Sequence, residues 1–420
     1  MNANWLDPEI CCKFRNVINS SNIFLGDASL RENWNLTCAV MDRLSDVVEY
    51  LNENFYSAPQ TSNDFIIFMT YADMLVGATK ELLKKFNKKY DDTTYLYSSY
   101  YNFIEKRKQR ISSYEAEKNI YIGDDSFFKY IRCLTFAHPY ETSSKKNYKF
   151  LLDGEVNYSP FVFDSGHYMS SDKIIDPVGL NIYSNKFDGS MGLWISFNDI
   201  KEYIKSKYNL LILATEWASE KIAYAETEWG NRKINRNKTK IEMLKDGKDI
   251  LEHRYVSTHE IDEAIELLEC ECTLISNSDA VNKYKEHIKS CIPSLCDQID
   301  NFNIEYKYPT PIMKALSPKP KNTCHMFDYY TSKIYSGLTG STIGDNNYYG
   351  RSMAKLFAQG FVKDYVTIDY DNMSATEIRL LVNTACYLEK LSQRYGKIHP
   401  SITKSIEEHY NHMKKLVEPS

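Results

Sequence analysis

The segment 127–143, FFKYIRCLTFAHPYETS, carries an arginine and a histidine in a largely apolar run. Arg132 and His138 are separated by five residues. Histidine has an unperturbed pKa of about 6.5, so it can donate or accept a proton near neutral pH. Arginine presents a fixed fork of donors that binds a phosphate and stabilises the charge that develops on it in a transition state. Together the two side chains suit proton transfer beside a phosphate group.

These two residue types match the chemistry of RNA cleavage without a metal ion. The ribose 2′-hydroxyl must lose a proton to attack the adjacent phosphate, and the leaving 5′-oxygen must gain one. We assign His138 as the candidate acid or base and Arg132 as the candidate phosphate clamp. A structural alternative stays open, because a histidine near a helix end also complements the helix dipole and an arginine also pairs with a neighbouring acid.

One amphipathic helix is expected to position both side chains. Asp125 or Ser126 is the expected N-cap, and Pro139 is expected to end the helix, because proline disfavours helical conformation in the residue before it. In a regular α-helix the α-carbons of Arg132 and His138 would lie about 9 Å apart along the axis and about 120° apart around it. The arginine side chain is long enough to reach a phosphate near the end of such a helix.

Two other pairs have a similar spacing but lack this setting. Arg254 and His259 flank a junction of β-branched and Ser/Thr residues, and Arg394 and His399 flank a glycine that should end a helix. Context therefore favours the pair in the segment 127–143.

The longer segment 123–143, GDDSFFKYIRCLTFAHPYETS, resembles the R-x4-6-H motif region of the HEPN superfamily. The resemblance includes the acidic lead-in, the approach FFKYIR, the alanine before the histidine, the proline after it and Thr142. It implies a helical bundle and a metal-independent endoribonuclease that leaves a 2′,3′-cyclic phosphate, with Arg132 and His138 catalytic. It also implies a toxin or anti-phage defence effector with a defence-system partner or antitoxin. Family members form symmetric dimers, so a homodimer with a composite active site is expected.

Two positions add to this resemblance or depart from it. Asp73, a lone acid in the apolar run MTYADMLVGATK, matches the acidic residue that often faces the motif from an upstream helix, although a surface or ion-paired acid is the alternative. Cys133 stands where the family usually has a polar residue. A non-catalytic module that binds RNA, a nucleotide or a protein is therefore the alternative function, and a sensor controlled by the C-terminal half is a third.

Basic residues in two places are candidates for RNA binding. One group surrounds the motif, and the other lies in the run EKRKQR near several tyrosines, which offer stacking faces to single-stranded RNA. A solvated helix face explains that run equally well. The candidates are Lys129, Lys145, Lys146, Arg107 and Arg110.

Hydrophobic periodicity predicts a mainly α fold. Residues 1–240 are expected to form a HEPN-like helical bundle with a small β insertion around 150–195, and residues 241–420 a second helical domain. Helices are predicted at the following places: 31–55, from Asn63 or Asp64 to about 88, 95–120, a single long helix from Ser196 to about 230, 259–274, 278–290, 325–335, 350–362, 374–395 and 401–416.

Composition excludes several classes of protein. The chain of 420 residues has 43% hydrophobic residues, 33 tyrosines and a formal charge of −5, which indicates a folded protein without a general nucleic-acid-binding surface. Its 10 cysteines form no CxxC pair and read as reduced thiols, and no recognised zinc spacing occurs. We therefore expect no metal and no cofactor. With no signal peptide and no long apolar run, we expect a cytoplasmic protein that binds no membrane.

Overall fold

The computed structural model describes residues 4–112, 121–143, 148–159, 162–163, 174, 176–302, 310–320, 355, 360–370 and 372–392. The prediction of a mainly α fold is confirmed. The chain divides into two compact units, Met1–Ala225 and Glu226–Ser420. This division lies ahead of the predicted boundary between residues 240 and 241.

The first unit is built mostly from helices. In chain order they are α1 (Pro8–Asn19), α2 (Ile23–Gly26), α3 (Ala28–Arg31), α4 (Trp34–Asn54), α5 (Ser62–Lys85), α6 (Tyr97–Arg110), α7 (Asp124–Arg132), α8 (Phe197–Asn209) and α9 (Leu211–Gly230). The last of these runs past the division between the units.

Helices α4 and α5 form an antiparallel pair. Tyr50 stacks on Tyr71 with ring centroids 4.0 Å apart, and Phe55 packs edge-on against Phe68 at 5.2 Å, contacts that require opposite chain directions. The N-cap of α5 is Thr61, so the prediction of Asn63 or Asp64 is wrong. Thr61 forms a reciprocal capping box with Asp64, which satisfies two backbone N–H groups at once.

The predicted single helix from Ser196 to 230 is wrong, because two helices occupy this range. Ser196 is the N-cap of α8, as predicted, and its hydroxyl accepts a hydrogen bond from the backbone N–H of Asp199. Helix α8 then ends at Asn209, and α9 begins at Leu211. Periodicity alone did not reveal this interruption, because Leu210 and Leu211 continue the apolar pattern on both sides of it.

The predicted β insertion is present as an antiparallel sheet that begins earlier than expected. Its strands are β1 (Thr142–Ser143), β2 (Val156–Tyr158), β3 (Val162–Phe163), β4 (Pro177–Ser184) and β5 (Ser190–Ser196). Strands β4 and β5 form a hairpin, and β2 and β3 pair with successive parts of the opposite edge of β4. Strand β1 pairs with β2, with Thr142 opposite Asn157. The sheet therefore starts four residues after His138.

The second unit is built from helices that share one apolar core. They are α10 (Lys240–His253), α11 (His259–Glu269), α12 (Ser278–Asp300), α13 (Pro311–Leu316) and α14 (Ala375–Ser392). Residues 380–386 of α14 are all buried, which is the pattern of a helix surrounded by protein. Predicted helices at 259–274, 278–290 and 374–395 are confirmed with shifted ends. Three other predicted helices lie wholly or mostly outside the described residues: 325–335, 401–416 and most of 350–362.

Within the described ranges, none of the helices is both long and apolar enough to span a lipid bilayer.

Candidate functional site

Arg132 lies at the carboxyl end of α7 and pairs with Asp73 on α5. Its Nη1 lies 3.2 Å from each carboxylate oxygen of Asp73, and the two side chains are 27% and 30% exposed. Burial lowers the pKa of Arg132, but the Asp73 carboxylate and the contact with Cys133 together outweigh it, and the net shift is upward. The structure thus brings Asp73, predicted from one apolar run, to Arg132 from another, and neither charged group is sealed in the interior.

A second ion pair joins the same two helices. The ammonium group of Lys80 lies 2.8 Å from the carboxylate of Asp125. Asp73 and Lys80 are about two turns apart on α5, and Asp125 and Arg132 are equally far apart on α7. The order is reversed, with Asp73 opposite the end of α7 and Lys80 opposite its start, so α5 and α7 run antiparallel. These contacts fix the position of Arg132 along α5.

The start of α7 is anchored further by a buried lysine. The ammonium group of Lys207, on α8, lies 2.9 Å from Asp125 and 3.3 Å from Asp92, and its side chain is 1% exposed. Burial raises the pKa of Asp125, but hydrogen bonds from Lys80 and Lys207 outweigh it and hold the pKa at about 2. Asp125 is therefore a carboxylate at every physiological pH and ties α7 to both α5 and α8.

The acidic lead-in GDD has a structural role in this fold. Asp124 is buried and accepts hydrogen bonds from the Thr93 hydroxyl at 2.6 Å and from two backbone N–H groups of the loop before α6. Gly123, not Asp125 or Ser126, is the N-cap of α7, with φ +92°. A Cβ at Gly123 would lie 1.8 Å from an Asp92 carboxylate oxygen, so only glycine fits there.

Between Arg132 and His138 the chain does not continue as a regular α-helix, which corrects the predicted 120° relation. Residues Cys133–Ala137 form a π-helical turn, and the His138 N–H donates to the Cys133 carbonyl at 2.8 Å, a bond across five residues. The Thr135 hydroxyl also donates to the Ile131 carbonyl at 2.8 Å, a contact that bends helices. Single π turns occur frequently at functional sites.

His138 follows this turn and is exposed to solvent. Its backbone leaves helical conformation at φ −145° and ψ 54°, as the following proline favours. Its carbonyl accepts two hydrogen bonds, from the Thr142 hydroxyl at 2.9 Å and from the Glu141 N–H at 3.3 Å. Thr142 is 3% exposed and begins β1, so the sheet holds the backbone of His138 while its imidazole stays accessible.

Cys133 faces the core behind Arg132. Its sulfur accepts a hydrogen bond from the Tyr148 hydroxyl at 3.3 Å and lies 4.0 Å from Arg132 Nη2. Burial, followed by this contact, raises the pKa of Tyr148. Because Cys133 is buried, it supports the guanidinium from the interior and is not part of the exposed surface.

The structure contradicts one predicted RNA-binding residue. Arg107 is fully buried and forms an ion pair with Glu155, which also accepts from Asn157 and Ser184. Its position follows from helix periodicity, since Tyr100, Phe103 and Ile104 share the same inward face of α6. The basic appearance of EKRKQR concealed this pattern.

The other predicted RNA-binding residues have different surroundings. Lys129 is exposed on α7, about one turn before Arg132. Arg110 is exposed, and its guanidinium donates to the Ser190 carbonyl at 2.5 Å. Lys145 and Lys146 lie outside the described residues. Tyr140, which no sequence pattern indicated, is 80% exposed two residues after His138.

The competing pair of Arg254 and His259 does not form a comparable site. Arg254 is buried and its guanidinium donates to the carbonyls of Ile299 at 2.6 Å and Trp229 at 3.3 Å, so it holds backbone in the second unit. His259 is exposed at the start of α11. Arg394 and His399 lie outside the described residues.

Elsewhere in the first unit, a cavity of about 250 Å³ lies between α1 and α9. Its lining includes Asp7, Glu9 and Glu216 against one lysine, Lys13, so it does not suit a phosphate. Across the described part of the chain, no three His, Cys, Asp or Glu side chains are grouped to hold a metal ion.

Comparison of the chain with protein-family models, with curated proteins and with solved structures finds no match.

Proposed function

We propose that this chain is a metal-independent endoribonuclease of the HEPN type. It cuts RNA by attack of a ribose 2′-hydroxyl on the adjacent phosphate and leaves a 2′,3′-cyclic phosphate. The supporting observation is that an accessible imidazole, His138, directly follows a π turn after a partly exposed guanidinium that Asp73 orients.

Each side chain has a defined role in this reaction. His138 removes the proton of the 2′-hydroxyl or supplies one to the leaving 5′-oxygen. Arg132 donates to the phosphate oxygens as their charge grows. Asp73 binds Nη1, and among the described residues Nη2 contacts the sulfur of Cys133, a weak acceptor that a phosphate oxygen can replace. Asp73 is thus a positioning residue for Arg132.

A second copy of the chain completes the site in this proposal. Helix α5 presents apolar side chains beside Asp73, with Ile67 and Met74 each 39% exposed and Tyr71 half-buried between them. Gly77 lies about one turn after Asp73, and a Cβ added there would meet no atom within 4 Å, so the surface at this point is open. An uncharged stripe next to the ion pair suits a two-fold interface that brings two Arg132–His138 pairs to one cleft.

Purified full-length protein and a labelled single-stranded RNA test the proposal. We expect cleavage that chelators do not affect, a cyclic phosphate at the new 3′ end, and losses of about 100-fold or more in Arg132→Ala and His138→Ala. Matched controls are Arg232→Ala and His259→Ala, which remove exposed residues in the second unit and should cut normally. Cleavage that requires a metal, or that survives in both motif variants, contradicts the mechanism.

The proposed cellular setting is a toxin or anti-phage effector. Expression of the wild-type chain in a bacterium should arrest growth and degrade RNA, and the His138→Ala chain should do neither. Equal toxicity of the two chains would contradict this role.

A non-catalytic RNA-binding module is the second candidate. The observation that favours it is that the charge of Arg132 is already neutralised by Asp73 within one chain. Wild-type protein that binds RNA without cutting it, with the same affinity in His138→Ala, would favour the module over the nuclease.

A further inference from the structure

Tyr140 is an exposed aromatic ring held on a rigid turn beside His138. Residues 138–141 form a turn closed by the bond from the Glu141 N–H to the His138 carbonyl at 3.3 Å. Pro139 occupies the second position, where its fixed φ suits such a turn, and Tyr140 the third. The ring is 80% exposed, although burying a tyrosine ring is favourable.

Three hydrogen bonds fix the backbone of this turn. The Thr142 hydroxyl donates to the His138 carbonyl at 2.9 Å, and the Ser159 N–H donates to the Pro139 carbonyl at 2.8 Å from the end of β2. With the bond that closes the turn, they hold the backbone on both sides of Tyr140. A ring fixed in this way loses little conformational freedom when a ligand stacks on it.

The charge of the neighbouring Glu141 favours a base over a phosphate as the ligand of this ring. Glu141, also exposed, adds a negative charge directly after Tyr140, which repels phosphate and accepts hydrogen bonds from amino groups. Exposed aromatic rings stack on unpaired bases of any sequence, whereas bases inside a duplex are already stacked on their neighbours.

We propose that Tyr140 stacks on the base next to the cleaved phosphate, so that the site selects an unpaired nucleotide. This inference rests on the proposed ribonuclease activity for the position of that phosphate. Stacking holds the nucleotide while His138, two residues away, meets its ribose or leaving oxygen. Tyr140 is a binding residue in this scheme and transfers no proton.

Steady-state cleavage of a single-stranded RNA by the full chain tests the inference. Tyr140→Ala should raise KM about 10-fold and leave kcat unchanged, and Tyr140→Phe, which keeps the ring, should behave as wild type. Tyr224→Ala is the matched control, because Tyr224 is 71% exposed on α9. The same RNA annealed to its complement should be cut poorly by wild type.

An abasic nucleotide beside the cleaved bond separates stacking from a structural role. It should raise KM for wild type by about the same 10-fold and cause no further increase in Tyr140→Ala, because the two changes remove one contact. Additive losses, or normal KM in Tyr140→Ala, would overturn the inference while leaving the ribonuclease proposal intact.

Binding measurements cover the case in which the wild type does not cut. Fluorescence anisotropy with the same RNA should then show about 10-fold weaker binding in Tyr140→Ala than in wild type and Tyr224→Ala. If the wild-type chain neither cuts nor binds this RNA, the proposal for Tyr140 fails together with the ribonuclease.

Discussion

At the residue scale, the site depends on how one carbonyl is held. The His138 carbonyl accepts from the Thr142 hydroxyl and from the Glu141 N–H, and Thr142 is buried at the start of β1. The backbone of His138 is therefore coupled to the sheet that follows the motif. In the proposed reaction this contact makes Thr142 a positioning residue for His138.

Replacing Thr142 should affect catalysis more than binding. Thr142→Val keeps the shape of the side chain and removes the hydroxyl, so we expect kcat to fall about 10-fold with KM unchanged and stability to fall by about 1 kcal/mol. Thr142→Ser keeps the donor and should restore kcat. Initial-rate kinetics and thermal unfolding measure both effects. A Val variant with full kcat would show that the contact only stabilises the fold.

Sequence indicated some of these residues and concealed others. Arg132 and His138 were proposed from their types and spacing in an apolar run, and Asp73 from the family resemblance; the structure pairs Arg132 with Asp73 at 3.2 Å. Arg107 was misassigned to the surface, because the basic run EKRKQR concealed its place on the inward face of α6. Its partner Glu155 lies in a distant loop, so the ion pair itself could not be predicted from local sequence. No sequence pattern indicated Tyr140, because the exposure of a side chain depends on the whole fold.

At the element scale, the position of α7 follows from charges at both of its ends. Asp73 and Lys80 on α5 pair with Arg132 and Asp125 on α7, while Lys207 on α8 adds a second cation to Asp125. Sequence predicted the helices themselves from their apolar periodicity. It did not predict their register, nor the π turn, because both depend on contacts between distant segments.

Asp125→Asn should destabilise the protein through the buried Lys207. Breaking a buried ion pair costs about 3–5 kcal/mol, and Asp92 compensates part of this loss. Because the folded pKa of Asp125 is about 2, below its ordinary 3.8, its stabilising effect is complete above about pH 4 and is lost as the pH falls towards 2.

Urea unfolding of Asp125→Asn and wild type across this pH range measures the effect. The difference in unfolding free energy should be large at pH 7 and shrink below pH 4. Asp153→Asn, at an exposed site in the first unit, is the control and should unfold like wild type at every pH. A difference that is independent of pH would exclude the ion-pair explanation.

At the scale of the whole molecule, helix α5 leaves part of its apolar surface exposed on the first unit. Its stripe of Ile67, Tyr71 and Met74 is uncharged and flanks Asp73. Sequence suggested a dimer only by resemblance to a family. Periodicity cannot show which side of a helix with two apolar sides is exposed. The exposure of this stripe on the folded unit supports placing the proposed interface there.

Introducing a charge into this stripe should separate the two copies. Met74→Lys should convert a dimer of 48.9 kDa chains to monomers and reduce RNA cleavage, because a lysine would be buried without a partner. Size-exclusion chromatography with light scattering and cleavage assays measure both properties. Ile212→Lys, at a 44% exposed position on α9, is the control. A wild-type chain that cuts RNA as a monomer would contradict the dimer.

The packing of α14 also bears on how a ribosome can produce the second unit. Helices α11 and α12 precede α14 in the chain, and both pack against it. At a synthesis rate of roughly 5–20 residues per second, the apolar surfaces that they bury against α14 stay exposed until α14 emerges. We expect this interval to be the one in which the unit is most open to chaperones and to neighbouring nascent chains.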